Sequence, residues 1–226
     1  MRYRHLLLVA SLMVSPLAIA QPQVSVGISL PGISIGINQP AYPQLVVVPG
    51  TPVYYAPGAN SNYFFYDGMY WVFYGDDWYA SSWYNGPWHP VARAAVPVYL
   101  WRVPVRYWRA PPPYFHGWHG GEPPHWDEHW GHDWHEQHAG WNQWDHRSAP
   151  PPAPLPHYQR QYSGQKYPQE PQQQHVVRDQ NYHYEPHEDV VRQHWQAQRE
   201  EAQHPHGPPQ EHGEHGKGEH HEQDRF

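Results

Sequence analysis

The chain is predicted to be mainly β: a small antiparallel aromatic meander with one amphipathic helix packed on it, followed by a long disordered C-terminal region. Three observations predict this. Residues 41–110 carry twenty Phe, Trp and Tyr, in short runs separated by turn signals. Residues 111–149 place five Trp on one stripe at helical spacing. Residues 150–226 are rich in Pro, Gln and His and have no sustained apolar pattern.

Residues 1–20 read as an export signal. Arg2 and Arg4 form a basic start, Leu6 to Val14 an apolar run, and Ala18-Ile19-Ala20 a small-x-small cleavage pattern between Ala20 and Gln21. The run falls short of the roughly 20 residues that cross a bilayer. The longest later apolar run is Leu45 to Val48, so no membrane span is expected. The expected location is the periplasm or the exterior of a Gram-negative cell. The absence of cysteine removes disulfides, thiolate zinc sites, thiol nucleophiles and lipidation at an N-terminal Cys.

Loss of Arg2 and Arg4 moves the formal charge from −7 to −9 with neutral His. Nucleic acid is not an expected partner of so acidic a chain, because phosphate binding needs a basic surface.

Residues 21–40 form a hairpin-like segment. Val24, Val26, Ile28 and Leu30 alternate with small residues, as do Ile33, Ile35 and Ile37 after Pro31-Gly32. In residues 41–110, turn signals at Asp67-Gly68, Gly75-Asp76-Asp77 and Asn85-Gly86-Pro87 separate strand-like aromatic runs. Their spacing predicts an antiparallel meander. Val96–Leu100 and Val103–Trp108 are predicted edge strands, with Pro97 and Pro104 confining them to the edge. So many rings in a small sheet leave some exposed for binding; Tyr70, Trp78, Trp83 and Trp88 are the candidates for an aromatic surface.

The runs Asn62-Tyr63-Phe64-Phe65-Tyr66-Asp67-Gly68-Met69-Tyr70-Trp71 and Trp78-Tyr79-Ala80-Ser81-Ser82-Trp83-Tyr84-Asn85-Gly86-Pro87-Trp88, with Pro52-Val53-Tyr54-Tyr55-Ala56-Pro57, resemble a group of uncharacterised exported proteins of Gram-negative bacteria. The resemblance spans roughly residues 1–165. It implies export, and carries over no activity and no functional residues.

The Trp/His-rich helix of residues 111–149 is predicted to start at Pro123-Pro124, with Asp127 and Glu128 in its first turn, and to stop at Pro150. At about 100° per residue, Trp126, Trp130, Trp134, Trp141 and Trp144 share one stripe, and His125, His129, His132, His135 and His146 lie opposite. His125, His129, His132 and Glu136 fall within about 60° of one another. They are the candidate ligands for a divalent transition metal such as Zn, Ni, Co or Cu; His116 and His119 join only if their loop folds back. A looser metal-buffering tract is expected in the tail at His204, His206, His212, His215, His220 and His221. Within the tail, residues 186–203 are a possible helix.

Catalytic patterns are missing: no G-x-S-x-G, no P-loop and no G-x-G-x-x-G. His135-Glu136-Gln137-His138 lacks one residue of H-E-x-x-H. Turn formation accounts for Asp76 and Asp77 better than paired acid/base work. The expectation is a non-enzymatic structural or binding module of the envelope, whose partner is an envelope component or protein. Periplasmic metal binding or buffering is the alternative.

Overall fold

A computed structural model describes residues 35–37 and 39–203. The export signal, its Ala20–Gln21 cleavage point, most of the hairpin-like segment and all six tail histidines lie outside the described residues.

Six strands form one antiparallel sheet in sequential order. They are β1 (Val46–Val47), β2 (Tyr54–Tyr55), β3 (Asn62–Tyr66), β4 (Met69–Tyr74), β5 (Asp77–Ser81) and β6 (His89–Val91). The predicted turns set the register. Asp67 and Gly68 both take positive φ (46° and 84°), so Tyr66 pairs with Met69; Gly75 and Asp76 do the same (61° and 70°), so Tyr74 pairs with Asp77. Two-residue hairpins need this backbone because its twist matches that of the flanking strands.

The two central strands are buried on both faces. Every residue of β3, and Met69 to Phe73 of β4, is out of solvent. This requires apolar or aromatic side chains at successive positions rather than every second one, which the sequence supplies from Tyr63 to Tyr66 and from Met69 to Phe73. One face carries Phe64, Met69, Trp71, Phe73 and Trp78. It lies under residues 95–141 and under Val191 and Trp195 of a late helix. The other face carries Tyr63, Phe65, Tyr70 and Val72, and lies under Ala153, Tyr158, Tyr167 and Tyr182.

Four expectations need correction. First, helical content is substantial: α1 (Val98–Trp101), α2 (Trp126–Gln137), α3 (Pro171–Asn181) and α4 (Asp189–Gln203) accompany the sheet, so "mainly β" is too narrow. Second, the predicted edge strands at 96–100 and 103–108 are instead α1 and a 3₁₀ turn at Val105–Tyr107. Pro97 and Pro104 stand immediately before these turns, where the fixed φ of proline suits a helical start and its missing N–H costs nothing. Third, α2 ends at Gln137 and is broken at Gly131 (φ 78°, ψ −167°), a backbone that glycine adopts without strain. Trp141 and Trp144 therefore lie beyond the helix.

Fourth, residues 150–203 are not a disordered tail, and the possible helix at 186–203 is present as α4. They wrap the second face of the sheet and return across the first. Polar side chains replace an apolar pattern as the means of attachment. Gln159 is fully buried; its Oε1 accepts from the Tyr70 hydroxyl (2.9 Å) and the Tyr84 N–H (3.3 Å), and its Nε2 donates to the Ser82 carbonyl (3.1 Å). Gln198 of α4 takes the other side of Ser82, accepting from its N–H (3.1 Å) and donating to the Ala80 carbonyl (3.3 Å). The two amides thus pair the backbone where β5 runs out of strand partners. At the β3–β4 turn the Asp67 carboxylate accepts from the Tyr184 hydroxyl (2.6 Å) and from the N–H groups of His187 (3.0 Å) and Glu188 (2.8 Å). The Tyr184 ring sits so close to Gly68 that a Cβ there would come within 2.8 Å of it.

Candidate functional site

The proposed metal ligands of α2 are not brought together. Trp126 and Trp134 are buried against Trp101, at centroid distances of 5.0 and 5.6 Å, which turns most of the histidines outward. Each then meets its own carboxylate. His125 lies 2.8 Å from Glu128, His132 lies 3.0 Å from Glu136, and His135 lies 3.6 Å from Asp127. His119 lies 3.8 Å from Glu122, away from the helix set. Among the described residues no group of three or more His, Asp or Glu stands in an arrangement that could hold a metal ion. The helical wheel places these residues on one face, but the break at Gly131 and the local ion pairs separate them.

His129 turns inward instead. Its Nε2 lies 3.1 Å from both carboxylate oxygens of Asp76 in the β4–β5 turn, and its ring stacks on Tyr114 with centroids 3.6 Å apart. Asp76 also accepts from the Tyr114 hydroxyl (2.6 Å) and the Trp130 indole N–H (3.2 Å), and Arg93 lies 3.8 Å away. Burial pushes the Asp76 carboxyl up, but hydrogen bonds from Tyr114, His129 and Trp130 outweigh it and hold the group below the usual carboxylate range. The same contacts, with burial foremost, push the Tyr114 hydroxyl well above the ordinary phenol value. With both oxygens occupied by donors, Asp76 works as an anchor that ties α2 to the sheet. Its turn role is legible in the sequence; the anchor is not, because a turn carboxylate carries no local signal of it.

The proposed aromatic surface is also overturned. Tyr70, Trp78, Trp83 and Trp88 are 0–2 % exposed. Each belongs to a sheet face or rim with a covering segment over it: Trp83 under Tyr158, Tyr162 and Tyr167, and Trp78 under Trp101 and Trp108. Tyr74, at the end of β4, is instead the Phe, Trp or Tyr ring that most faces solvent among the described residues, at 55 % exposure.

Tyr74 stands on the rim of a half-open groove of about 960 Å³. Pro111–Pro113 form one wall, the turn at residues 58–61 the other, and Asn62 and Phe73 line the groove between them. Asp76 and Tyr114 close one part of the rim. The proline wall is held by Asn62, whose side-chain amide donates to the Ala110 carbonyl (2.7 Å) and accepts from the Ala110 N–H (2.9 Å). The lining thus combines apolar residues with a few polar ones, the usual make-up of a small-ligand site. It draws on separate stretches of backbone and small side chains, so no contiguous motif announces it.

Comparison of the chain with known protein families, curated proteins and solved structures found no match. No helix among the described residues is long and apolar enough to cross a membrane.

Proposed function

We propose that the protein is a non-enzymatic binding module of the Gram-negative envelope, exported through its N-terminal signal, and that its groove holds an uncharged glycan strand. The groove beside Tyr74 carries this reading. A sugar chain presents apolar C–H faces and a rim of hydroxyls, which matches Pro111–Pro113 and Phe73 in the lining together with the polar side chains of Asn60 and Gln39. The exposed Tyr74 ring offers a flat surface for a pyranose, and its hydroxyl a hydrogen-bond partner. The acidic balance of the chain, with Asp76 at the rim, disfavours a strongly anionic occupant.

Co-sedimentation of the mature protein with purified peptidoglycan sacculi tests this. Retention is expected, and Tyr74→Ala is expected to weaken it roughly two- to ten-fold, as loss of about 0.5–1.5 kcal/mol of ring contact implies. Tyr74 is largely in solvent, so the substitution leaves the core intact. No retention of the wild type, or equal retention of both proteins, rejects the glycan reading. Turnover of an envelope substrate that a point mutation abolishes rejects the non-enzymatic one.

A further inference from the structure

Three histidines are buried where α3 and α4 meet the sheet. His194 of α4 is 1 % exposed, with Nε2 3.1 Å from the Ala95 carbonyl and its ring edge-on to Trp71. His175 of α3 is 9 % exposed and lies against Trp195, with ring centroids 5.1 Å apart. His89 of β6 lies 3.3 Å from Glu201 of α4. The Nδ1 atoms of His175 and His194 are both buried with no hydrogen-bond partner. A neutral ring tolerates this by leaving a bare lone pair. A protonated ring would have to bury an unpaired N–H and a charge.

The surroundings are already cationic. Arg178 of α3 is buried, with its guanidinium 3.4 Å from the centre of the Trp195 ring and a hydrogen bond to the Gly68 carbonyl (3.2 Å). Arg199 of α4 lies over another side of Trp195. The nearby carboxylates are engaged: Asp179 by Arg199 (3.1 Å), Glu201 by His89, Glu188 by the Tyr66 hydroxyl (2.7 Å), and Asp67 by Tyr184 and two backbone N–H groups.

We propose that the α3–α4 hairpin is an acid-released clamp, which lets go of the sheet when His175 and His194 take up protons. Release would bare Trp71 and its neighbours on one face of the sheet and free the β3–β4 turn. The direction of the effect follows from linkage. Burial first, and then Arg178, Arg199 and His89, against the pull of the Gln198 backbone, push His175 down to about 4; burial, with a smaller push from His89 and against the pull of the Ala95 carbonyl, also lowers His194. A histidine depressed in the closed state makes its full contribution above the ordinary value near 6.5 and loses it as pH falls toward the depressed one. Between those limits each such ring raises the open fraction about ten-fold per pH unit, so His175 alone gives roughly 300-fold between about pH 6.5 and about pH 4.

Hydrogen exchange on the full chain, corrected for the intrinsic pH dependence of exchange, reads this directly. Protection of α3 and α4 is expected to fall steeply between pH 7.5 and 4.5 while β3 and β4 stay protected. In His175→Gln/His194→Gln the fall is expected to disappear. Unchanged protection in the wild type, an undiminished fall in the variant, or simultaneous opening of β3 and β4 overturns the clamp. If the double variant does not fold, ring titrations in the wild type decide: both histidines titrating below the ordinary value near 6.5 support the proposal, and either titrating at or above it rejects it.

Discussion

A chain ending at Pro150 is expected to lose the cooperative thermal transition of the full-length protein. Composition alone suggests the opposite, because what is removed reads as polar tail. In the fold it is the cover of one sheet face. Without it Tyr63, Phe65, Tyr70 and Val72 lose the lid made by Ala153, Tyr158, Tyr167 and Tyr182. At about 1.5–3 kcal/mol per large apolar side chain, baring four costs about 6–12 kcal/mol, as much as the whole net stability of an ordinary domain. Ser82 loses both amide partners, and Asp67 its three donors from residues 184–188. Calorimetry and near-UV circular dichroism check this. A sharp transition in the shortened chain, close to that of the full chain, would show that residues 151–203 are dispensable.

Trp101→Ala is expected to destabilise the protein by about 3–5 kcal/mol in denaturant unfolding, the range for removing a large ring from a packed core. Trp101 is the hub of an indole cage. Trp78 of the sheet touches it from one side at 5.5 Å, and Trp126, Trp130 and Trp134 of α2 from the other at 5.0, 5.3 and 5.6 Å. Its carbonyl also accepts the Trp126 indole N–H (2.9 Å). The cavity would lie between α2 and the sheet, joined elsewhere by the Asp76 anchor. A cost below about 1 kcal/mol would mean that the cage collapses around the gap or was never tightly packed.

The sheet was legible because its turns are chemically demanding. Asp67-Gly68 and Gly75-Asp76 must hold positive φ at two successive positions, and few residue pairs do so cheaply. Three of the five Trp of the stripe were legible because Trp126, Trp130 and Trp134 all meet Trp101 from α2; the stripe continued past the real end of α2 because Trp141 fits the helical period by chance while packing from a turn, 5.4 Å from Trp134. The second layer was not legible. Its anchors are Gln159, Gln198, Tyr182 and Tyr184, which composition scores as polar but whose polar atoms are spent on the backbone and on Asp67. Pattern reading counts apolar side chains and has no means of seeing a glutamine that completes a strand. The same blindness explains the aromatic surface: the rings that cover Trp83 are Tyr158, Tyr162 and Tyr167, in a segment whose composition reads as polar tail.

The contacts that seal the sheet join residues far apart along the chain. Gln198 meets Ser82 across 116 positions, and Glu188 meets Asp67 across 121. Such long closures slow folding, since the intervening chain must be ordered before they form. The order of synthesis adds to this. Both faces have part of their cover by Tyr167, but the donors to Asp67 and the second amide on Ser82 come only from residues 184–198, so the contacts that hold the β3–β4 turn and the end of β5 are the last to be supplied.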